Sequence, residues 1–108
     1  MPVRRKEIVV VRPIERVVNG EKKRVGEKEI ARCVALIVPV GSREAETLAG
    51  VYGVVTHRAV IQPPPAGWTA KVNDEIVLNN KRFRVIAVSL YDIGSVLDRM
   101  ELLLEAIE

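Results

Sequence analysis

The chain has 108 residues and a formal net charge of +3, the length of one ordinary domain with no room for a second hydrophobic core. That charge is too small by itself to announce a nucleic-acid binder, and a single cysteine, Cys33, excludes both an internal disulfide and a cysteine-based zinc site. The chain is 48% hydrophobic but only 4% aromatic, so its core is aliphatic; Val and Ile supply 28 residues, and β-branched side chains pack well on a pleated surface.

Glu7 to Val18 is the first predicted strand, and Pro13, which cannot donate a ladder hydrogen bond, places it at an edge or bends it. Asn19-Gly20 signals a turn, with the charged run Glu21 to Arg24 as an exposed loop tip behind it. The second strand is predicted over Lys28 to Val38. Ile30, Arg32, Val34, Leu36 and Val38 share one face and Ala31, Cys33, Ala35 and Ile37 the other, so burial on both sides is expected. Pro39 to Gly53 breaks the alternation and reads as a loop enclosing a short helix. Ser42 is its expected N-cap, Glu44 and Glu46 lie in its first turn, and Gly50 and Gly53 close it.

Val54 to Gln62 resumes as strand and is terminated by Pro63-Pro64-Pro65-Ala66-Gly67. Glu75–Leu78 and Arg82–Val88 flank Asn79-Asn80-Lys81 as a hairpin. The last stretch fits two patterns. Val96, Leu97, Met100, Leu103, Leu104 and Ile107 make a helical stripe, with Ser95 and Asp98 imitating a capping box. Met100, Leu102, Leu104 and Ala106 equally make a strand face, with Arg99, Glu101 and Glu105 opposite.

Charge is unevenly spread: residues 1–32 carry ten Lys/Arg against five Glu, and residues 33–108 carry seven against nine acids. Such a basic segment is either a solvated pair of strands or a face that meets an acidic neighbour or DNA phosphates. Arg4, Arg5, Arg12 and Arg16, together with Trp68 beyond the proline run, are the candidate subunit or partner interface. The charged start, Met1 to Glu7, and the break at Arg12 and Pro13 give no signal-peptide pattern. No segment reaches the roughly 18 continuous apolar residues of a membrane span, so a reducing, aqueous compartment is expected.

The catalytic inventory is nearly empty. His57 is the only histidine, nothing in the spacing pairs it with Cys33, and Asp74-Glu75 reads as turn chemistry before a strand. No Gly-rich run has nucleotide-binding spacing, and scattered carboxylates make no metal site, so neither enzyme, cofactor nor metal is expected. Lys81, Arg82 and Arg84 surround Phe83 as a base-stacking strand would, but Phe83 is better placed in the core with Val85 and Ala87.

The run VTHRAVIQPPPAGWTAKVNDEIVLNNKRFRVIAV, followed by a loop and ELLLEA, resembles the head-tail joining family of long-tailed bacteriophages, the head-closure or stopper proteins. The matching pieces are Ser42, Glu44 and Ala45 in the helix, Thr56-His57-Arg58, Asp74 to Leu78, Lys81 to Val88, and Glu101 to Glu105. The likeness covers residues 31–108. Asn79-Asn80 stands where the family more often has Asn-Gly, and residues 1–32 match poorly.

The resemblance implies a small antiparallel β-barrel or sandwich of about five to six strands, one short helix between the second and third, and a strand as the last element. It implies a non-enzymatic homo-oligomeric ring of six or twelve copies in the neck of the virion, made in the host cytoplasm. Such a ring has a portal or adaptor protein on its head side and a tail terminator or tail protein on its tail side. Packaged DNA passes through it without sequence-specific binding, and no membrane is involved. The segment before the Thr-His-Arg strand is the one that this family associates with closing the channel. Here it supplies Gly41, Ser42, Arg43, Glu44, Glu46, Thr47 and Gly50 as candidate channel-facing residues. Glu44 and Glu46 would repel phosphate and let DNA slide. The alternative is a free-standing small barrel that binds nucleic acid or a partner protein.

Overall fold

A computed structural model describes residues 5–107. Six antiparallel strands and one helix follow in the order β1 (Lys6–Val18), β2 (Glu21–Pro39), α1 (Ser42–Tyr52), β3 (His57–Ile61), β4 (Glu75–Leu78), β5 (Lys81–Tyr91) and β6 (Arg99–Ala106). The strands close into a barrel in the order β1-β2-β3-β6-β5-β4. The last element is a strand, and it is central: Met100, Leu102 and Leu104 point inward and are fully buried. They join Ile8, Val10, Ala35, Ala59, Ile61, Ile76, Phe83 and Val85 in the aliphatic core. Long-range pairing with β3 and β5 thus overrides the local helical propensity of this stretch.

Strand lengths are unequal, and that shapes the molecule. β1 and β2 pair along their whole length, whereas β4 meets β1 only over Val9–Val11 and β3 meets β2 only over Leu36–Pro39. From Arg12 to Lys28 the hairpin therefore has no third strand among the described residues, and it projects as a two-stranded arm. At a rise of about 3.3 Å per residue the arm reaches about 20 Å beyond the barrel. The radius of gyration is 14.7 Å, against about 13 Å for a compact chain of this length, and the long axis is 48 Å.

Several boundaries differ from the sequence reading. Asn19 (φ 52°) and Gly20 (φ 79°) complete the turn by themselves, so Glu21 to Arg24 enter the ladder at once and form strand instead of a loop tip. β2 is not buried on two sides: Ala35 is its only buried residue and Val34 is 50% exposed, because a barrel has one interior and no second layer covers this outer face. Register shifts at Val10/Val11 and Ile14/Glu15 bracket Pro13, where the edge prediction had placed an irregularity. A further shift between Val85 and Ala87 turns Val88 toward the core in place of Ala87.

Candidate functional site

The segment Pro39 to Gly53 leaves the barrel at the end of β2 and returns at β3. Gly41, not Ser42, occupies the N-cap position with extended backbone, and its carbonyl accepts the Ala45 N–H at 2.9 Å. Ser42 is the first helical residue and makes no capping bond, so Glu44 remains in the first turn while Glu46 falls beyond it. A carboxylate there complements the positive end of the helix. Gly50 lies inside the last turn, and Gly53 ends the helix at φ 80°, a conformation that a side chain would oppose. Thr47 Oγ1 donates to the Arg43 carbonyl at 3.1 Å. None of the residues of α1 is buried. Ala45 and Leu48 are half-buried, and one ion pair among the described residues ties the helix down: the Glu44 carboxylate pairs with the Arg58 guanidinium of β3.

Thr56, His57 and Arg58 do three separate jobs at this end of the barrel. The Thr56 hydroxyl accepts the Ala106 N–H at 2.7 Å and donates to the Leu104 carbonyl at 3.4 Å, stitching the end of β6 to the entry of β3. His57 lies edge-on to Phe83 with ring centroids 4.9 Å apart, and its Nδ1 is 2.9 Å from Thr56 Oγ1. Burial, then the nearby Lys81 charge, lowers its pKa below the ordinary imidazole value. Arg58 holds the helix. The described residues give His57 no bond to a carboxylate or to Cys33, whose thiol is half-buried and pushed up in pKa by desolvation.

Beside His57, the mouth of the barrel holds a cavity of about 170 Å³ floored by Ile37, Leu78 and Phe83, with Lys6 and Lys81 among its lining residues. Phe83 is thus core and cavity floor, and it offers no face on which a base could stack. Two of its three basic neighbours are also engaged, Lys81 being the exception among the described residues. Arg82 bonds Glu27 at 3.0 Å and Glu75 at 3.1 Å, and Arg84 bonds Glu105 at 3.2 Å.

The candidate interface residues are scattered by the fold. Arg4 lies outside the described residues. Arg5 donates to the Gln62 carbonyl at 3.3 Å. Arg12 grips Asp74 with two bonds, Nε at 2.8 Å and Nη2 at 3.0 Å, while the Lys71 N–H donates to the same carboxylate at 2.9 Å. Asp74 is only 2% exposed, so this pair fastens the root of the arm to the loop before β4. Arg24 and Arg82 converge on Glu75 and Glu27 and fasten the arm a second time. Arg16, by contrast, is exposed and has no ion pair among the described residues. Trp68 packs half-buried against the core as a lid.

One feature escaped sequence reasoning. The β5–β6 loop presents Ile93, Val96 and Leu97 to solvent at 89%, 93% and 65% exposure. Asp98 fixes that loop by accepting the backbone N–H groups of Ile93 (3.1 Å), Gly94 (2.8 Å) and Ser95 (3.1 Å). Desolvation pushes the Asp98 carboxyl up in pKa, and these donors more than offset it, leaving it below the ordinary value. The Ser95–Asp98 spacing that imitates a helix start is here turn chemistry. A polar pair before an apolar stripe cannot distinguish the two.

Among the described residues no group of three or more His, Cys, Asp or Glu could hold a metal ion, and no helix is long and apolar enough to cross a membrane. No protein-family model matches the chain, and no curated protein matches it.

Proposed function

We propose that this chain is a structural subunit of a connector ring in the neck of a long-tailed bacteriophage. It would sit beneath the portal, retain packaged DNA and give the tail its docking surface. The observation that carries this reading is α1: an eleven-residue helix with no fully buried residue, of which only Glu44, Ala45 and Leu48 are even half-buried, and with one ion pair to the barrel among the described residues. A connection inside a compact domain usually takes about 4–6 residues, so a longer one with its own unburied helix calls for a use outside the monomer. The ordered likeness over residues 31–108 to the head-tail joining family supports the same use. In this reading Arg43 and Glu46 stay in water along the channel and Glu44 anchors the helix through Arg58.

The competing reading, a small barrel that binds nucleic acid, draws on Arg16, Lys22, Lys23 and Lys28 of the arm, which are exposed and without ion pairs among the described residues. It lacks an exposed stacking aromatic beside them, since Phe83 is buried.

Replacing Ser42–Ala49 with a Gly/Ser linker of equal length tests the proposal. DNA retention would be measured in filled, tailless heads. The expected result is leakage with the barrel still folded; retention equal to the parent would remove the helix from any role in closure.

A further inference from the structure

We infer that the β5–β6 loop of one copy inserts its apolar tip into the barrel-mouth cavity of the next copy, and that this is the contact on which the ring is built. The inference rests on the ring reading above and adds its contact surface. A loop of seven residues that exposes Ile93, Val96 and Leu97 is expensive to leave in water, and exposed apolar groups of this kind mark contact sites. The loop is also stiff: Asp98 holds three of its N–H groups, Ser95 Oγ accepts the Leu97 N–H at 3.0 Å, and Gln62 donates to the Val96 carbonyl at 3.2 Å. A preorganised anchor loses little conformational freedom on docking.

The receiving surface is complementary in size and charge. An apolar cavity of roughly 150 Å³ can take a benzene molecule, so the cavity of about 170 Å³ over Ile37, Leu78 and Phe83 has space for one aliphatic side chain. Lys6 and Lys81 line it, whereas the loop carries Asp92, exposed and without an ion pair among the described residues. An acidic loop of this kind is poorly suited to an anionic membrane surface. Knob and cavity lie at opposite ends of β5, which begins at Lys81 beside the cavity and ends at Tyr91 beside the loop, a separation of about 30 Å. Two unlike surfaces that far apart cannot satisfy each other within one chain. They make a heterologous contact, the kind that closes into a ring when the rotation allows.

The test uses purified full-length chains, with mass measured by sedimentation and folding checked by thermal unfolding. I93D/V96D disables the knob and K6E/K81E disables the receiving mouth; all four positions lie at the surface, so both variants should unfold like the parent. Each variant alone is expected to remain monomeric at concentrations at least tenfold above those at which the parent assembles. Mixed together they are expected to form a 1:1 dimer and nothing larger, because one intact knob then meets one intact mouth. A parent ring that I93D/V96D leaves unchanged overturns this contact, keeps the ring reading, and assigns the loop to a different protein partner. A mixture that stays monomeric overturns the pairing of knob with mouth. A parent that is monomeric at every concentration overturns the ring reading and this contact together.

Discussion

The barrel wall and the elements that project from it obey opposite rules. Within the wall every strand has two neighbours and one buried face, and Met100, Leu102 and Leu104 of β6 have no exposed surface at all. The arm, α1 and the β5–β6 loop bury almost nothing, yet each is secured at its root: the arm by Asp74 and Glu75, the helix by Arg58, the loop by Asp98. A chain that merely frayed at its edges would not place buried or charge-assisted bonds at the base of each projection. The wall thus behaves as a platform, and the projections hold their shape without a partner in the monomer.

That contrast can be broken most severely in the wall. Leu102→Ala should lose about 2–5 kcal/mol of unfolding free energy, because it opens a cavity among fully buried neighbours. Denaturant unfolding measures it. A cost below about 1 kcal/mol would mean that the wall is not close-packed. Next comes the root of the arm, where Asp74→Ala removes a buried acceptor of three bonds. The expected cost is roughly 1–3 kcal/mol, moderated because Arg12 is partly exposed and can regain water. Amide exchange should then rise in the arm more than in β6.

A smaller effect belongs to the barrel mouth. Burial keeps His57 below its unfolded pKa of about 6.5, so the unfolded chain binds its proton more readily. His57 therefore adds nothing adverse above that pH, and stability is lost as pH falls from about 6.5 toward the lower folded value. His57→Gln should flatten this limb of a pH–stability curve; an unchanged slope would assign it to other groups. The smallest change is expected in the projections themselves. Val17→Lys at the arm should alter unfolding free energy by less than about 0.5 kcal/mol, as exposed positions generally do. A large loss there would show that the arm packs on something in the monomer.

Much of the fold was legible in the sequence where its signals are local. Asn19-Gly20 specifies a turn through its own backbone preferences, Glu75–Leu78 is a short, mostly apolar run bounded by Asp74 and Asn79, and Ser42 to Tyr52 breaks the strand period. The closing strand was ambiguous because the spacing of Met100, Leu103 and Leu104 satisfies two periods, and only pairing with β3 and β5 decides between them. Of the projections, the arm's turn and the helix were legible, but the arm's freedom from neighbours and the exposed loop were not. Whether a hairpin stands free depends on the lengths of its neighbours, which alternation within the hairpin does not encode. Arg12 was a candidate surface cation, but its partner Asp74 is 62 residues away in sequence. Val96 and Leu97 fell in the helical stripe and so resembled core positions, and Ile93 carried no signal of its own.

The central claim is that the projections serve assembly, and the most direct measurement is the mass and shape of the purified chain as its concentration is raised, with and without duplex DNA. Sedimentation combined with negative-stain images should show a closed ring of a fixed copy number, six or twelve, that forms without DNA and is indifferent to its sequence. A chain that stays monomeric at the highest concentration, and binds DNA with an affinity that falls steeply with salt, would contradict the account and favour the nucleic-acid-binding barrel.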